Sequence, residues 1–141
     1  MVGSGYMNKK RISLILLVIW MLFIFIMSTF NANESSSQSG IIVSFISNIF
    51  NIKNIKLLSL IVRKFAHFFE FLVLGILLLN VIINYNKKIY LAYIFGIIYA
   101  ILDEVHQLFV MGRSCQLTDI LIDSLGIMIG IFVISKFVKR I

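Results

Sequence analysis

The chain has 141 residues, of which 60% are hydrophobic and only 13% are charged, and its mean hydropathy is +1.02. This balance exceeds what a soluble domain needs to fill one core, so it excludes an ordinary soluble protein and indicates an integral membrane protein. The net charge of +7 does not indicate nucleic-acid binding, because the basic residues stand in short groups at the ends of apolar runs.

The amino end predicts one uncleaved transmembrane helix. Residues 1–6 resemble an expression leader, and residues 7–141 are then expected to form a single membrane domain. A basic triplet at positions 9–11 precedes nineteen residues, 12–30, that carry no formal charge. This run would form roughly 28 Å of helix, close to a hydrocarbon core of ~30 Å. It also exceeds the ~7 to 15 apolar residues of a usual signal peptide, so it predicts a membrane anchor.

The next segment is expected to stay outside the membrane core. Residues 31–40 are rich in Ser, Asn and Gly and predict a polar loop. After this loop, Ser44, Ser47, Asn48 and Asn51 recur at helical spacing on one face. The apolar remainder is too short to span alone, so this pattern predicts an amphipathic helix that is interfacial or re-entrant on the outer side.

Three more apolar runs have the length of a transmembrane helix, at residues 65–83, 89–110 and 117–137. The predicted fold is therefore all-α, an integral membrane bundle of four transmembrane helices. Basic residues at the chain start, between the second and third spans, and at the carboxyl end fall on one side of this bundle. By the positive-inside rule, both termini of this multi-pass cell-membrane protein are expected in the cytoplasm.

Polar residues interrupt the last three spans at helical spacing, which places one polar stripe on each helix. If the spans begin where predicted, Glu70, Asp103 and Asp123 lie about 8 to 9 Å beneath the outer face. Intramembrane charge of this kind indicates a functional site, although ion pairs that only fix the helices remain the structural alternative. The stripes consist of Arg63, His67 and Glu70, of Asp103, His106 and Gln107, and of Asp119, Asp123, Gly126 and Gly130.

The glycines and the arginines near these stripes each predict a specific contact. Gly126 and Gly130 lie on the face of the last span that carries the aspartates, and small residues four apart favour close helix packing. In the structural alternative, Arg63 or Arg113 would clamp the carboxylates with charge-assisted hydrogen bonds.

Two stretches carry a resemblance to a known family. RKFAHFFEFLVLG (63–75) and DEVHQLFVMGRSCQLTDILIDSLGIMIG (103–130) resemble the signature segments of the VanZ-like family, and MSTFNANESSSQSG (27–40) resembles its serine-rich sequence. These are small bacterial membrane proteins whose founding member is associated with resistance to the glycopeptide teicoplanin. The chain departs from the family at Met111, where proline is common, and at Phe71, where tyrosine is common. The matching positions are Lys64, His67, Glu70, Asp103, Glu104, His106, Gln107, Gly112, Arg113, Asp119, Asp123 and Gly126.

The resemblance implies a phenotype and no reaction, so three classes of function stay open. An outward polar cleft binds a lipoglycopeptide or a lipid-linked cell-wall precursor. Alternatively, a histidine or a metal serves hydrolysis or transfer on a lipid-linked envelope substrate. In the third class the carboxylates relay protons or ions in a small transporter. The candidate ligand-binding residues are Lys64, His67, Glu70, Asp103, Glu104, His106, Gln107, Arg113, Asp119 and Asp123, and the candidate catalytic residues are His67, Glu70, Asp103, His106 and Asp123.

No cofactor is predicted, and the expected partners are membrane lipids and the amphiphilic ligand. A metal site would draw on His67 with Glu70 and on Asp103 with His106, but a histidine beside an acid is more often only hydrogen-bonded. The single cysteine, Cys115, excludes an intramolecular disulfide and a cysteine cluster. The oligomeric state is left open.

Overall fold

The computed structural model describes the backbone of residues 3–30 and 32–137, and the side chains of residues 8–30 and 40–137. All regular structure within these ranges is helical, which confirms the all-α prediction. The helices are α1 (Gly3–Thr29), α2 (Ala32–Phe50), α3 (Ile55–Asn84), α4 (Tyr90–Gln107) and α5 (Leu117–Phe137).

Three stretches of helix in the described chain are long and apolar enough to cross a membrane: Asn8–Thr29, Ile55–Asn84 and Leu117–Phe137. They correspond to the predicted first, second and fourth spans, and they support a membrane protein. Helix α4, which corresponds to the predicted third span, has 18 residues. It is not among the three, and its last two turns carry two acids, a histidine and a glutamine.

Helix α3 begins ten residues before the predicted span, at Ile55 instead of residue 65. Its first turn is capped by Asn54, whose side-chain oxygen accepts a hydrogen bond from the backbone N–H of Leu57 at 3.2 Å. The depth predicted for Glu70 assumed a start at residue 65, so that depth does not follow from the observed helix.

The segment between α1 and α3 differs from the prediction in its first part. The polar loop expected at residues 31–40 is wrong, because the backbone is helical from Ala32 onwards. A helix does follow there, as the carboxyl half of α2. Its predicted place at the outer interface stays a prediction. The helix packs on α3 with Val43 buried, while Phe45 and Phe50 are exposed. An apolar surface of this kind suits contact with lipid.

Helix α3 occupies the centre of the molecule, because it contacts each of the other four helices. It approaches α5 most closely at two glycines. A methyl group added at Gly126 would lie 2.5 Å from the carbonyl oxygen of Phe68, and one added at Gly130 would overlap the carbonyl oxygen of Leu72. The predicted close packing at Gly126 and Gly130 is confirmed, and it sets the register of α3 against α5.

Two partly buried hydrogen bonds attach α1 to this core. The indole N–H of Trp20 donates to the carbonyl oxygen of Glu70 in α3 at 2.9 Å. The Tyr99 hydroxyl of α4 donates to the carbonyl oxygen of Met21 at 2.7 Å. Both bonds lie near the polar end of the bundle, so α1 forms one wall of that region.

Helix α4 ends three residues before residue 110, the predicted end of the third span. Helix α4 stops at Gln107, and residues 108–116 form a turn and an extended connection to α5. Gly112 has a φ of 76°, in the left-handed region that glycine adopts without a steric cost. The residue that follows this turn, Arg113, has a buried Nε.

Candidate functional site

Polar side chains from α3, α4 and α5 meet at one end of the bundle, as the three polar stripes predict. This end contains the first half of α3, the last turns of α4 and the first half of α5. Most of the acids there are removed from the surface. The buried members of the set are Asp103, Glu104, Gln107, Asp119 and Asp123.

One residue from each of these three helices forms the centre of the site. His67 of α3, Asp103 of α4 and Asp123 of α5 each offer one potential ligand atom, and these atoms all lie within 4.8 Å of one another. Asp123 is 0% exposed and Asp103 is 4% exposed. We call this group the carboxylate–histidine cluster. It includes Asp123, which the sequence did not single out for a metal, and it lacks Glu70 and His106, which it did.

The hydrogen bonds of the cluster are incomplete. Gln107 donates from Nε2 to Oδ2 of Asp103 at 3.1 Å. Within the described chain, neither carboxylate oxygen of Asp123 has a hydrogen-bond partner, and Nδ1 of His67 has none. The nearest acid to that nitrogen is Glu70, whose Oε2 lies 3.8 Å away. Buried polar atoms are normally paired, so Asp123 requires a proton, a water or a cation beside it.

The ion pair of the site is made by a lysine. Nζ of Lys64 in α3 pairs with Oδ1 of Asp119 in the first turn of α5, and the hydroxyl of Thr118 lies 3.3 Å from the same oxygen. The arginine clamp of the structural alternative is wrong for the part of the chain that the structure describes. Neither Arg63 nor Arg113 comes within 4.0 Å of a carboxylate oxygen there.

Arg113 therefore keeps donors available beside the acids. Its Nε is buried and has no partner among the described residues. Burial, and then the charge of nearby Arg63, lower the pKa of the Arg113 guanidinium, whereas Asp103, Glu104 and Glu70 act in the opposite direction. A guanidinium stays protonated in proteins, so its donor fork can hold a phosphate or a carboxylate.

Glu104 and His106 lie at the margin of the site. Oε2 of Glu104 accepts a hydrogen bond from the backbone N–H of Gln116 at 2.9 Å, which holds the connection between α4 and α5 against the bundle. The ring of His106 packs against Phe25 of α1, with 4.6 Å between the ring centroids. Its Nε2 is buried and has no partner within the described residues.

The structure adds one residue that the sequence interpretation missed. Ser28 of α1 is buried beside Asp103. Within the described chain, its hydroxyl makes no hydrogen bond of acceptable distance and angle. A serine near the end of an otherwise apolar span, inside a stretch that resembles the VanZ-like family, is the signal that identifies it.

An apolar cavity lies between α1, α3 and α4, and it extends from Tyr99 and Leu102, near the polar site, toward the opposite end of the bundle. Its volume is about 380 Å³. Tyr99, which contributes to its wall, stands four residues before Asp103 on α4 and therefore on the same face. The wall also includes Leu17, Leu78, Val81, Ile82 and Phe95, which lie toward the end of the bundle opposite the polar site. A hydrophobic space of this size thus begins one helical turn from a buried acid.

Comparison with known proteins yields one match. A family model described as VanZ/LLP1 matches residues 13–139. No curated protein matches the chain, and no solved structure does. The matched range includes every residue of the polar site.

Proposed function

Because the chain belongs to the VanZ/LLP1 family and has the helices of a membrane protein, we propose that it lowers susceptibility to teicoplanin-like glycopeptides by binding an amphiphile. The ligand is the lipoglycopeptide itself or a lipid-linked cell-wall precursor. The observation that carries this proposal is an apolar cavity whose wall begins at Tyr99, one helical turn from Asp103. An amphiphile needs polar groups for its head and an apolar space for its chain, and ligand sites combine these two features.

In this proposal the protein crosses the cell membrane four times. Helix α4 completes the four spans as the third in chain order. It packs against α1, α3 and α5, and its 18 residues extend about 27 Å. With α2 outside the membrane core, both termini are cytoplasmic and the polar site faces outward. The amphiphile then enters from the outer leaflet, where a glycopeptide would meet the lipid-linked cell-wall precursor.

Arg113 and Lys64 bind the anionic part of the ligand. Lys64 already pairs with Asp119, whereas Arg113 has no carboxylate partner within the described residues, so Arg113 is the stronger candidate. A guanidinium holds a phosphate or a carboxylate with two parallel hydrogen bonds. The neighbouring acids and Gln107 accept and donate hydrogen bonds to hydroxyl and amide groups of the ligand.

The test compares two identical substitutions at opposite ends of the bundle. Arg113→Lys keeps the charge but removes the planar donor fork, whereas Arg11→Lys makes the same change at an exposed position in α1. We expect wild type and Arg11→Lys to raise tolerance to teicoplanin, which carries an acyl chain, more than tolerance to vancomycin, which lacks one. Arg113→Lys should lose this protection, because one charged hydrogen bond contributes roughly tenfold in affinity.

The measurement is the minimum inhibitory concentration of each drug in a susceptible Gram-positive host at equal membrane abundance of the three proteins. Equal tolerance in cells with and without the wild-type protein would overturn the proposed phenotype. Equal protection by Arg113→Lys and wild type would remove Arg113 from the binding site.

A second function is favoured by the carboxylate–histidine cluster. His67, Asp103 and Asp123 can serve as a base or hold a metal in hydrolysis or group transfer on a lipid-linked envelope substrate. Protein abundance distinguishes the two functions. A binding protein protects in proportion to its amount, whereas an enzyme continues to protect when its expression is reduced about tenfold, since each copy acts repeatedly.

A further inference from the structure

We infer that the carboxylate–histidine cluster binds a divalent transition-metal cation, with Zn²⁺ and Mn²⁺ as the best-fitting ions. One ligand comes from each of α3, α4 and α5: a ring nitrogen of His67, an oxygen of Asp103 and an oxygen of Asp123. This inference goes beyond the proposed function and does not require that the protein act on glycopeptides.

The distances fit a shared ion after small side-chain rotations. Nitrogen and oxygen ligands bind Zn²⁺ at ~2.0 to 2.2 Å in a tetrahedral arrangement, so two ligand atoms of one ion lie about 3.4 Å apart. The three ligand atoms lie within 4.8 Å of one another. Any two ligand atoms therefore have to approach by at most about 1.4 Å, which is less than 1 Å for each side chain.

The charges favour a cation of valence two. Asp123 is 0% exposed and both of its oxygens lack a protein partner within the described chain. The other buried acids at this end each have a protein partner on at least one oxygen: Lys64 for Asp119, and the backbone N–H of Gln116 for Oε2 of Glu104. Asp123 has a partner on neither oxygen within the described residues. A buried carboxylate is unfavourable unless it is paired or binds a metal. One divalent ion neutralises Asp103 and Asp123 together.

The surrounding residues also suit a metal site. Gln107 fixes the Asp103 carboxylate through Oδ2, and the Glu70 carboxylate lies 3.8 Å from Nδ1 of His67. Carboxylates beside a metal-binding histidine orient the ring and increase its basicity. A donor set of one imidazole and two carboxylates suits Zn²⁺ or Mn²⁺ better than soft cations, which prefer sulfur ligands.

The binding experiment uses the full chain in lipid nanodiscs, stripped of metal and freed of any affinity tag. A Cys115→Ser background removes the only thiol. Titration with Zn²⁺ against a chromophoric chelator should show one tight site per chain. Loss of a residue that only hydrogen-bonds to a metal ligand typically weakens metal binding roughly 10- to 100-fold, and Gln107→Ala should fall within that range. His67→Gln and Asp123→Asn remove ligands and should weaken binding by more.

The matched control is His106→Gln, the same change at the other histidine, whose ring packs against Phe25 outside the cluster. This variant should keep wild-type affinity. Thermal unfolding provides a second readout: Zn²⁺ should raise the Tm of the wild type and of His106→Gln but not of Asp123→Asn. Without metal, Asp123→Asn should be at least as stable as the wild type, since the amide removes a buried charge next to Asp103.

Two results would overturn the metal site. Absence of Zn²⁺ and Mn²⁺ binding by the wild-type protein would show that a proton or a water, and not a metal, satisfies Asp123. Undiminished affinity in both Asp123→Asn and His67→Gln would place the bound ion elsewhere. Neither result affects the drug-tolerance comparison of Arg113→Lys, so failure of the metal site and failure of the proposed function are distinguishable.

Discussion

At the scale of single residues, Lys64 and Asp119 illustrate how the bundle handles charge. The two side chains are 23% and 11% exposed, so their ion pair is partly shielded from water. Exposed ion pairs contribute little to stability, whereas removal of one partner from a buried pair leaves an uncompensated charge. The pair links the middle of α3 to the first turn of α5, at the entrance to the polar site.

We expect the two charges to be energetically coupled. Lys64→Met and Asp119→Asn should each destabilise the protein, and the double variant should be less destabilised than the sum by about 1 kcal/mol. The measurement is a double-mutant cycle of unfolding free energies in mild detergent. Additive effects would mean that the pair contributes no net interaction, as in many surface ion pairs.

At the scale of helices, the packing of α3 on α5 determines where the site residues meet. Glycine at position 126 lets the backbone of α5 lie against the carbonyl group of Phe68, one residue after His67. Position 123, one turn earlier in α5, is then level with His67. The small residues therefore do more than pack two helices, because they set the distance between the ligand atoms of the cluster.

An added methyl group should disturb this register. Gly126→Ala places a carbon 2.5 Å from the Phe68 carbonyl oxygen, and overpacking of this kind typically costs ~1 to 3 kcal/mol. Gly40→Ala in α2 is the matched control, since a methyl group there has no neighbour within 4 Å. It should be neutral or stabilising by up to ~1 kcal/mol, because alanine favours helix. Unfolding in detergent measures both, and equal stability of the two variants would argue against a tight α3–α5 contact.

At the scale of the whole molecule, the orientation in the membrane decides which compartment the polar site faces. Helices α3 and α4 are joined by a short connection that carries Lys87 and Lys88, at the end of the bundle opposite the polar site. A basic connection is retained in the cytoplasm by the positive-inside rule. The proposed outward site follows from this assignment.

Labelling of single cysteines tests the orientation. In a Cys115→Ser background, a cysteine at Lys87 should resist a membrane-impermeant thiol reagent in intact cells, and one at Ser37 should react. Position 37 lies in the part of α2 whose side chains are outside the described residues. Both positions should react after the membrane is permeabilised. The reverse pattern in intact cells would put the polar site in the cytoplasm and contradict an outer-leaflet ligand.

Much of this architecture is predictable from the sequence because it depends on local composition. An apolar run of sufficient length has to be a helix in a bilayer, where every backbone polar group requires an internal partner. The first turns of α3 are mostly apolar but carry Lys56 and end at Arg63 and Lys64, so a search for an uncharged apolar run misses them. Asn54 at the helix start is nevertheless a recognisable capping signal. The same search also misses the helical start of α2, where polar residues 32–39 continue into the apolar half.

For the site too, one part is predictable from local sequence and the other depends on tertiary packing. The sequence by itself determined that acids and histidines lie on the inner faces of three helices, because a helical repeat specifies a face from spacing alone. Only the tertiary structure decided which of them meet. Spacing within one helix favoured His67 with Glu70 and Asp103 with His106, whereas packing joins His67 to Asp103 and Asp123 and turns His106 toward Phe25. The reason is that the rotation and register between helices depend on backbone contacts such as that of Gly126 with Phe68, which link residues far apart in the chain.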